Sequence, residues 1–108
     1  MKVSELQGAL LDYWVAEAEG INGYITIDRF FRNHSTHAIP YSPSTDWSRG
    51  GPIIEREEIQ LVPRANGEQW SAGINHHIQG GTTSLQAALR CFVASKYGNE
   101  LTDDARKE

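Results

Sequence analysis

Apolar residues recur at helical spacing in two stretches of the chain. In the first, Leu6, Ala9, Leu10, Tyr13 and Trp14 fall on one face, and Val15 and Ala18 widen it. The spacing predicts a helix over residues 4–19. Ser4 is a suitable N-cap, Gln7 stands where a capping box places its partner, and Gly20 can supply the left-handed residue that ends the helix. In the second stretch, Leu85, Ala88, Leu89, Phe92 and Val93 mark the buried face of another helix. Thr82 or Thr83 is its expected cap and Gly98 its end. Between the two, the period changes. After an Asn22-Gly23 turn, Ile25 and Ile27 alternate with Thr26 and Asp28, which suggests a strand over 24–31. Residues 32–40 are polar and read as a loop. Residues 59–62 and 69–74 are the clearest strands, joined by a hairpin around Asn66-Gly67. Gln79-Gly80-Gly81 reads as a break before the last helix.

The segment from Tyr41 to Glu55 breaks these periodicities. It mixes hydroxyls, carboxylates, an indole, a guanidinium, glycines and prolines. Pro43 starts a turn, and Ser44 or Thr45 is the expected cap of a short helical turn beginning at Asp46. Gly50-Gly51 then predicts an interruption, with Pro52 at the first position of a second short helix running to about Glu58. The fold class that follows is α+β: two long helices packed on a small antiparallel sheet, with a short helix before the hairpin. One globular domain is expected over 1–98. Residues 99–108 hold one large apolar residue, Leu101, and are expected to be a flexible tail.

Composition narrows the function. A chain of 108 residues with 39% hydrophobic content supports one domain with its own core. Cys91 is its single cysteine, so no intrachain disulfide is possible, which suits a reducing cytosol. No apolar run approaches the ~20 residues of a membrane helix, and Met1-Lys2-Val3-Ser4-Glu5 has no apolar region behind it to act as a signal peptide. Ten Lys and Arg against fourteen Asp and Glu leave a net charge of −4, not the footprint of a duplex-binding protein. Arg90 and Lys96 do not make the basic cluster that a double-stranded RNA binding domain would need.

The candidate chemistry is sparse. His34, His37, His76 and His77 are metal-ligand types, but neither pair has a recognised zinc spacing, so no metal or other cofactor is expected. Ser48 lies near Asp46, but no nucleophile frame surrounds it, so no catalytic residue is assigned. Gly50-Gly51 and Gly80-Gly81 precede expected helix starts, where free N–H groups can hold an anion. Arg49 makes the first of these the better anion candidate. Trp47 stands in polar surroundings, where an indole serves binding better than packing. The candidate binding residues are Tyr41, Ser44, Asp46, Trp47, Arg49, Gly50, Gly51 and Glu55.

Read in order, Ser44-Thr45-Asp46-Trp47 and Gly50-Gly51-Pro52-Ile53-Ile54-Glu55 resemble the NinX family of lambdoid phages and prophages. The opening from Met1 to Ala16, with its Ser4-Glu5-Leu6-Gln7-Gly8 element, is similar to that family's start. The stretch Ser84 to Gly98 resembles its final helix. The resemblance implies a small phage-encoded accessory protein in the bacterial host cytoplasm and implies no catalytic residues. The expected role is non-enzymatic: binding a host or phage macromolecule, most simply a protein, to modulate host defence or phage gene expression. The alternative is a small-ligand or nucleotide-binding module built on residues 44–55.

Overall fold

The computed structural model describes residues 1–25, 31–33, 40–64 and 69–101. A 3-10 turn, Val3–Glu5, leads into helix α1, Gly8–Glu19. Strands β1, Gly23–Ile25, and β2, Phe31–Asn33, pair antiparallel. Helix α2, Trp47–Glu57, follows. Strands β3, Gln60–Pro63, β4, Trp70–Ile74, and β5, His77–Gly81, form an antiparallel sheet in the order β3-β4-β5, and helix α3, Ser84–Tyr97, ends the fold. The class is α+β.

Helix α3 is the shared partner. The strands β4 and β5 lie against it, and so do α1 and α2. Enclosed from several sides, it buries Leu85, Ala88, Leu89, Phe92 and Val93, as the periodicity predicts, and also Ala87, Cys91 and Ala94. The alanines allow close approach. At Gly81 a Cβ would lie 2.6 Å from the Ala87 nitrogen, so only glycine fits where β5 reaches the helix. The start of α3 satisfies itself. Gln86 N–H donates to Thr83 Oγ1 at 3.0 Å, and Gln86 Oε1 accepts from Thr82 N–H at 2.8 Å. Gly98 closes it at φ 88°.

Alternation sorts the sheet. Ala72, Ile74 and Gln79 are buried on the helix side, while Val62 and Ile78 on the other face are exposed. Arg90 braces the β5 edge. Its Nε donates to the Leu6 carbonyl at 2.7 Å and its Nη1 to the Gly80 carbonyl at 2.9 Å.

Several expectations change. The first helix begins at Gly8, and Ser4 lies in the 3-10 turn, so the Ser4–Gln7 capping box does not form. With the helix starting later, its buried face is Leu11, Trp14 and Val15, joined by Asp12 and Ala16. Leu10, Tyr13 and Ala18 are half-buried beside it. The end at Gly20, φ 78°, is as expected. The single strand over 24–31 is instead the short pair β1 and β2, and 26–30 lie outside the described residues. Within the expected loop, β2 continues to Asn33, and Arg32 bridges Pro40. At β1, a Cβ on Gly23 would overlap the Arg32 carbonyl and the Phe31 ring, so the pairing requires glycine.

The expected break at Gln79-Gly80-Gly81 is strand β5. It turns back from β4 through Asn75 and His76, with Asn75 at φ 54°. Residues 65–68, including Asn66-Gly67, lie outside the described residues. The short helix before the hairpin is also longer than expected. It is 11 residues long, against 12 in α1. Residues 99–101 pair with the N-terminus. Val3 N–H donates to the Asn99 carbonyl at 3.0 Å, Leu101 N–H to the Met1 carbonyl at 2.8 Å, and Leu101 is buried. Residues 102–108 lie outside the described residues.

Candidate functional site

The 41–57 segment is one continuous structure. The turn at 43–45 is closed by Thr45 N–H and Asp46 N–H, both donating to the Ser42 carbonyl. Neither Ser44 nor Thr45 caps the helix that follows. Asp46 does, accepting from Ser48 N–H at 3.0 Å and from Ser48 Oγ at 2.7 Å. Those bonds hold the Asp46 carboxyl below its ordinary range. Ser48 is therefore tied up in capping.

Gly50-Gly51 does not break α2. The helix runs through both glycines and through Pro52. Gly50 is buried, and a Cβ there would lie 2.6 Å from Leu85 Cδ2 and 2.7 Å from the Pro43 carbonyl oxygen. It is a close crossing of α2 over the turn and α3, not a phosphate cradle. Gly51 is half-buried, and a Cβ there would come within 3.6 Å of the Trp47 ring. The lower half of α2 is clamped. Arg56 makes a two-pronged pair with Glu19 of α1, Nη2–Oε1 2.7 Å and Nη1–Oε2 3.1 Å, and its guanidinium lies over the Phe92 ring. Ile53 is buried.

The eight candidate residues thus divide. Trp47 is 54% exposed, and Arg49 and Glu55 are exposed on the same helix. Asp46 is half-buried as the cap. Gly50 and Gly51 serve helix packing. Tyr41 and Ser44 are buried beneath the turn, with Tyr41 against the Phe31 ring at 6.0 Å between centroids. Tyr41 N–H donates to the Phe31 carbonyl at 2.8 Å. Burial, reinforced by the negative charge of Glu19 and Asp12, pushes the Tyr41 hydroxyl up to about 12.

Sequence reasoning misses Asp12. It sits among the buried residues of α1, 3% exposed, and its Oδ1 accepts from Ser44 N–H at 2.8 Å. Burial pushes its carboxyl up to about 6, and the bonding from Ser44 draws it partly back. The available signal is an aspartate at a position that the helical period, set two residues later, assigns to the core.

The remaining candidates do not converge with this surface. His34 and His37 lie outside the described residues, His76 lies in the β4–β5 turn and His77 begins β5. No metal-binding cluster of His, Cys, Asp or Glu occurs among the described residues. Cys91 is buried in the core with its Sγ donating to the His77 carbonyl at 3.1 Å. Trp14 is core, and Trp70 is half-buried beside a separate groove of about 310 Å³ at β4 and β5, whose lining includes Arg64, Ser71 and Ile78. No described helix is long and apolar enough to cross a membrane.

The arrangement is an exposed indole and guanidinium carried at the start of a rigidly seated helix. Against known families, the model described as Bacteriophage P22, NinX matches residues 2–96. No curated protein matches the chain.

Proposed function

The chain belongs to the NinX phage family, and from that premise we propose that it is a non-enzymatic accessory protein. It binds a host or phage protein through the start of α2, and so modulates host defence or phage gene expression. The observation that carries this reading is Trp47, 54% exposed on the first turn of a helix whose cap, crossing and clamp are all internal to the domain. A large rigid aromatic held in water is the kind of residue that anchors protein interfaces, and Arg49 beside it is of the other enriched type. Glu55 is exposed further along the same helix.

Geometry weighs against the small-anion alternative. The Asp46 carboxylate already occupies the start of α2, so an added anion would meet like charge there. Gly50-Gly51 offers no free loop, because both residues are helical.

The test is recovery of the tagged chain from phage-infected cells, followed by affinity measurement with the purified partner. Wild type is expected to retain the partner, and Trp47→Ala to bind it at least tenfold more weakly while melting within a few degrees of wild type. Equal affinity, or a Trp47→Ala variant that does not fold, would refute the assignment.

A further inference from the structure

Three independent contacts lock the turn that carries Trp47. Tyr41 N–H reaches the Phe31 carbonyl, Gly50 presses on the Pro43 carbonyl, and Ser44 N–H reaches Asp12. Two of these join backbone to backbone. The third reaches across 32 residues to a side chain enclosed in the domain. We propose that Asp12 is the positioning residue of this surface: its carboxylate, held between α1 and the 43–45 turn, fixes Ser44 and thereby sets where α2 and Trp47 begin. The consequence for binding rests on the function proposed above; the tether itself does not.

Connectivity makes the lever short. Ser44 is two residues from the Asp46 cap, and Trp47 is the first residue of α2. The turn between is stiffened by the two bonds to the Ser42 carbonyl, so little slack separates Ser44 from the indole. The contact is made by backbone. The bond of good geometry is the one from Ser44 N–H to Asp12 Oδ1 at 2.8 Å; the buried Ser44 hydroxyl has no such partner among the described residues but lies close enough to help lower the Asp12 carboxyl. An amide N–H needs only a neutral acceptor, and a carboxylate enclosed in the core is an expensive way to supply one. A neutral asparagine would fit the same space and still offer an oxygen. Charge at this position is therefore not explained by packing alone, and it makes the tether sensitive to protonation. The titratable group that senses the Asp12 charge is the Tyr41 hydroxyl, on which Glu19 of α1 and Arg49 and Arg56 of α2 also act.

The experiment uses the full chain labelled with ¹⁵N, titrated from pH 4.5 to 8 and followed at the position-44 amide and the Trp47 indole. In wild type both signals are expected to move with one midpoint near the Asp12 value of about 6. Ser44→Ala, which keeps the amide, should preserve that titration. Asp12→Asn should abolish it at both signals while holding the Trp47 signal near its wild-type position at pH 8. Asp12→Ala should displace the Trp47 signal at every pH and weaken the partner at least tenfold, with Asp12→Asn within threefold of wild type. The proposal is overturned if the position-44 amide titrates identically in Asp12→Asn. It is equally overturned if a folded Asp12→Ala leaves the Trp47 signal where wild type has it. Should Asp12→Ala not fold, the wild-type and Asp12→Asn titrations decide alone. Signals that move as stated with no change in partner affinity would sustain the tether and remove the binding role assigned to Trp47.

Discussion

Adjacent glycines in α2 should respond differently to the same substitution. An alanine in place of a glycine within a helix gains ~1 kcal/mol from backbone propensity alone. At Gly50 the new Cβ meets Leu85 Cδ2 at 2.6 Å and the Pro43 carbonyl at 2.7 Å. The leucine tip can rotate away, but the carbonyl belongs to the turn that seats Trp47. Overpacking of this kind costs ~1–3 kcal/mol, so Gly50→Ala should destabilise by up to about 2 kcal/mol once the propensity gain is subtracted. At Gly51 the nearest atom is the Trp47 ring at 3.6 Å, an ordinary contact. There the opposing factor is Pro52, whose ring disfavours helical geometry in a preceding residue that carries a Cβ. The gain and the penalty oppose each other, and Gly51→Ala should lie well above Gly50→Ala in stability. Replacing Pro52 separates the effects. Pro52 cannot donate to the Ser48 carbonyl, and proline in a helix interior costs ~3 kcal/mol relative to alanine. Pro52→Ala should therefore stabilise, and in that background Gly51→Ala should add ~1 kcal/mol. Urea denaturation of the four variants, with unchanged slopes, measures all of this. If Gly50→Ala and Gly51→Ala stabilise equally, α2 does not cross Pro43 as described, and the interrupted helix that the glycines suggest is the better account.

Further outcomes follow from the same structure. Asp12 in the folded chain holds its proton up to about pH 6, against 3.8 ordinarily, so the native state takes up a proton before the unfolded state does as pH falls. Stability from this group rises between about 6 and 4 and is lowest above 6. Asp12→Asn should exceed wild type by up to about 3 kcal/mol at pH 7, converging towards it near pH 4; a pH-independent difference in urea denaturation would refute the burial of the charge. Leu101→Ala, or a cut after Gly98, should cost ~1.5–3 kcal/mol because Leu101 is buried against the N-terminal turn, and a melting point unchanged by either would show that the pairing with Met1 contributes nothing. Leu89→Ala should cost ~2–5 kcal/mol in chemical denaturation, with half-buried Leu10→Ala losing clearly less.

Where pattern and packing act on the same residues, the fold is legible in the sequence. The buried face of α3, its Thr83 cap and its Gly98 end follow from local rules, because its large apolar residues recur at helical spacing between a capping threonine and a terminating glycine. The phase of α1 does not follow. Leu6, Ala9, Leu10, Tyr13 and Trp14 match one helical face, whereas packing buries Leu11, Asp12, Trp14, Val15 and Ala16, so the local pattern leaves Asp12 unexamined. Strand β5 is hidden because Gln79-Gly80-Gly81 looks like a break. Its glycine is there for the close approach to Ala87, a tertiary cause that no local pattern contains. The Asn75-His76 turn carries a weaker signal than Asn-Gly, although asparagine is the residue that accepts the left-handed conformation. At the candidate site, the exposure of Trp47 and a helix start near Asp46 are readable from polarity and position, although the cap is Asp46 itself and not the expected Ser44 or Thr45. The burial of Tyr41 and Ser44 is not, since it depends on which side of the turn faces α1.

Among the described residues several irregularities gather in one segment, besides the buried, unpartnered Trp14 Nε1 of α1. The sheet and α3 obey alternation, capping and apolar burial with small departures. The segment from Tyr41 to Glu57, with the residue that holds it, departs repeatedly. A proline lies inside a helix, a glycine pair precedes it, a serine hydroxyl is buried without a partner among the described residues, and a carboxylate is enclosed where an amide would serve. Each departure costs stability that a fold needing only to persist has no reason to give up. All of them bear on one outcome, the placement of the first turn of α2. Gly50 lets the helix lie against Pro43, Asp12 holds the turn at Ser44, Asp46 fixes the first helical N–H groups, and Arg56 clamps the far end to Glu19 and Phe92. The one large apolar side chain this framework leaves in water at that turn is Trp47. Strain spent on presenting an exposed indole in a fixed position is consistent with recognition, because a preorganised anchor loses less entropy on binding than one that must be ordered by its partner.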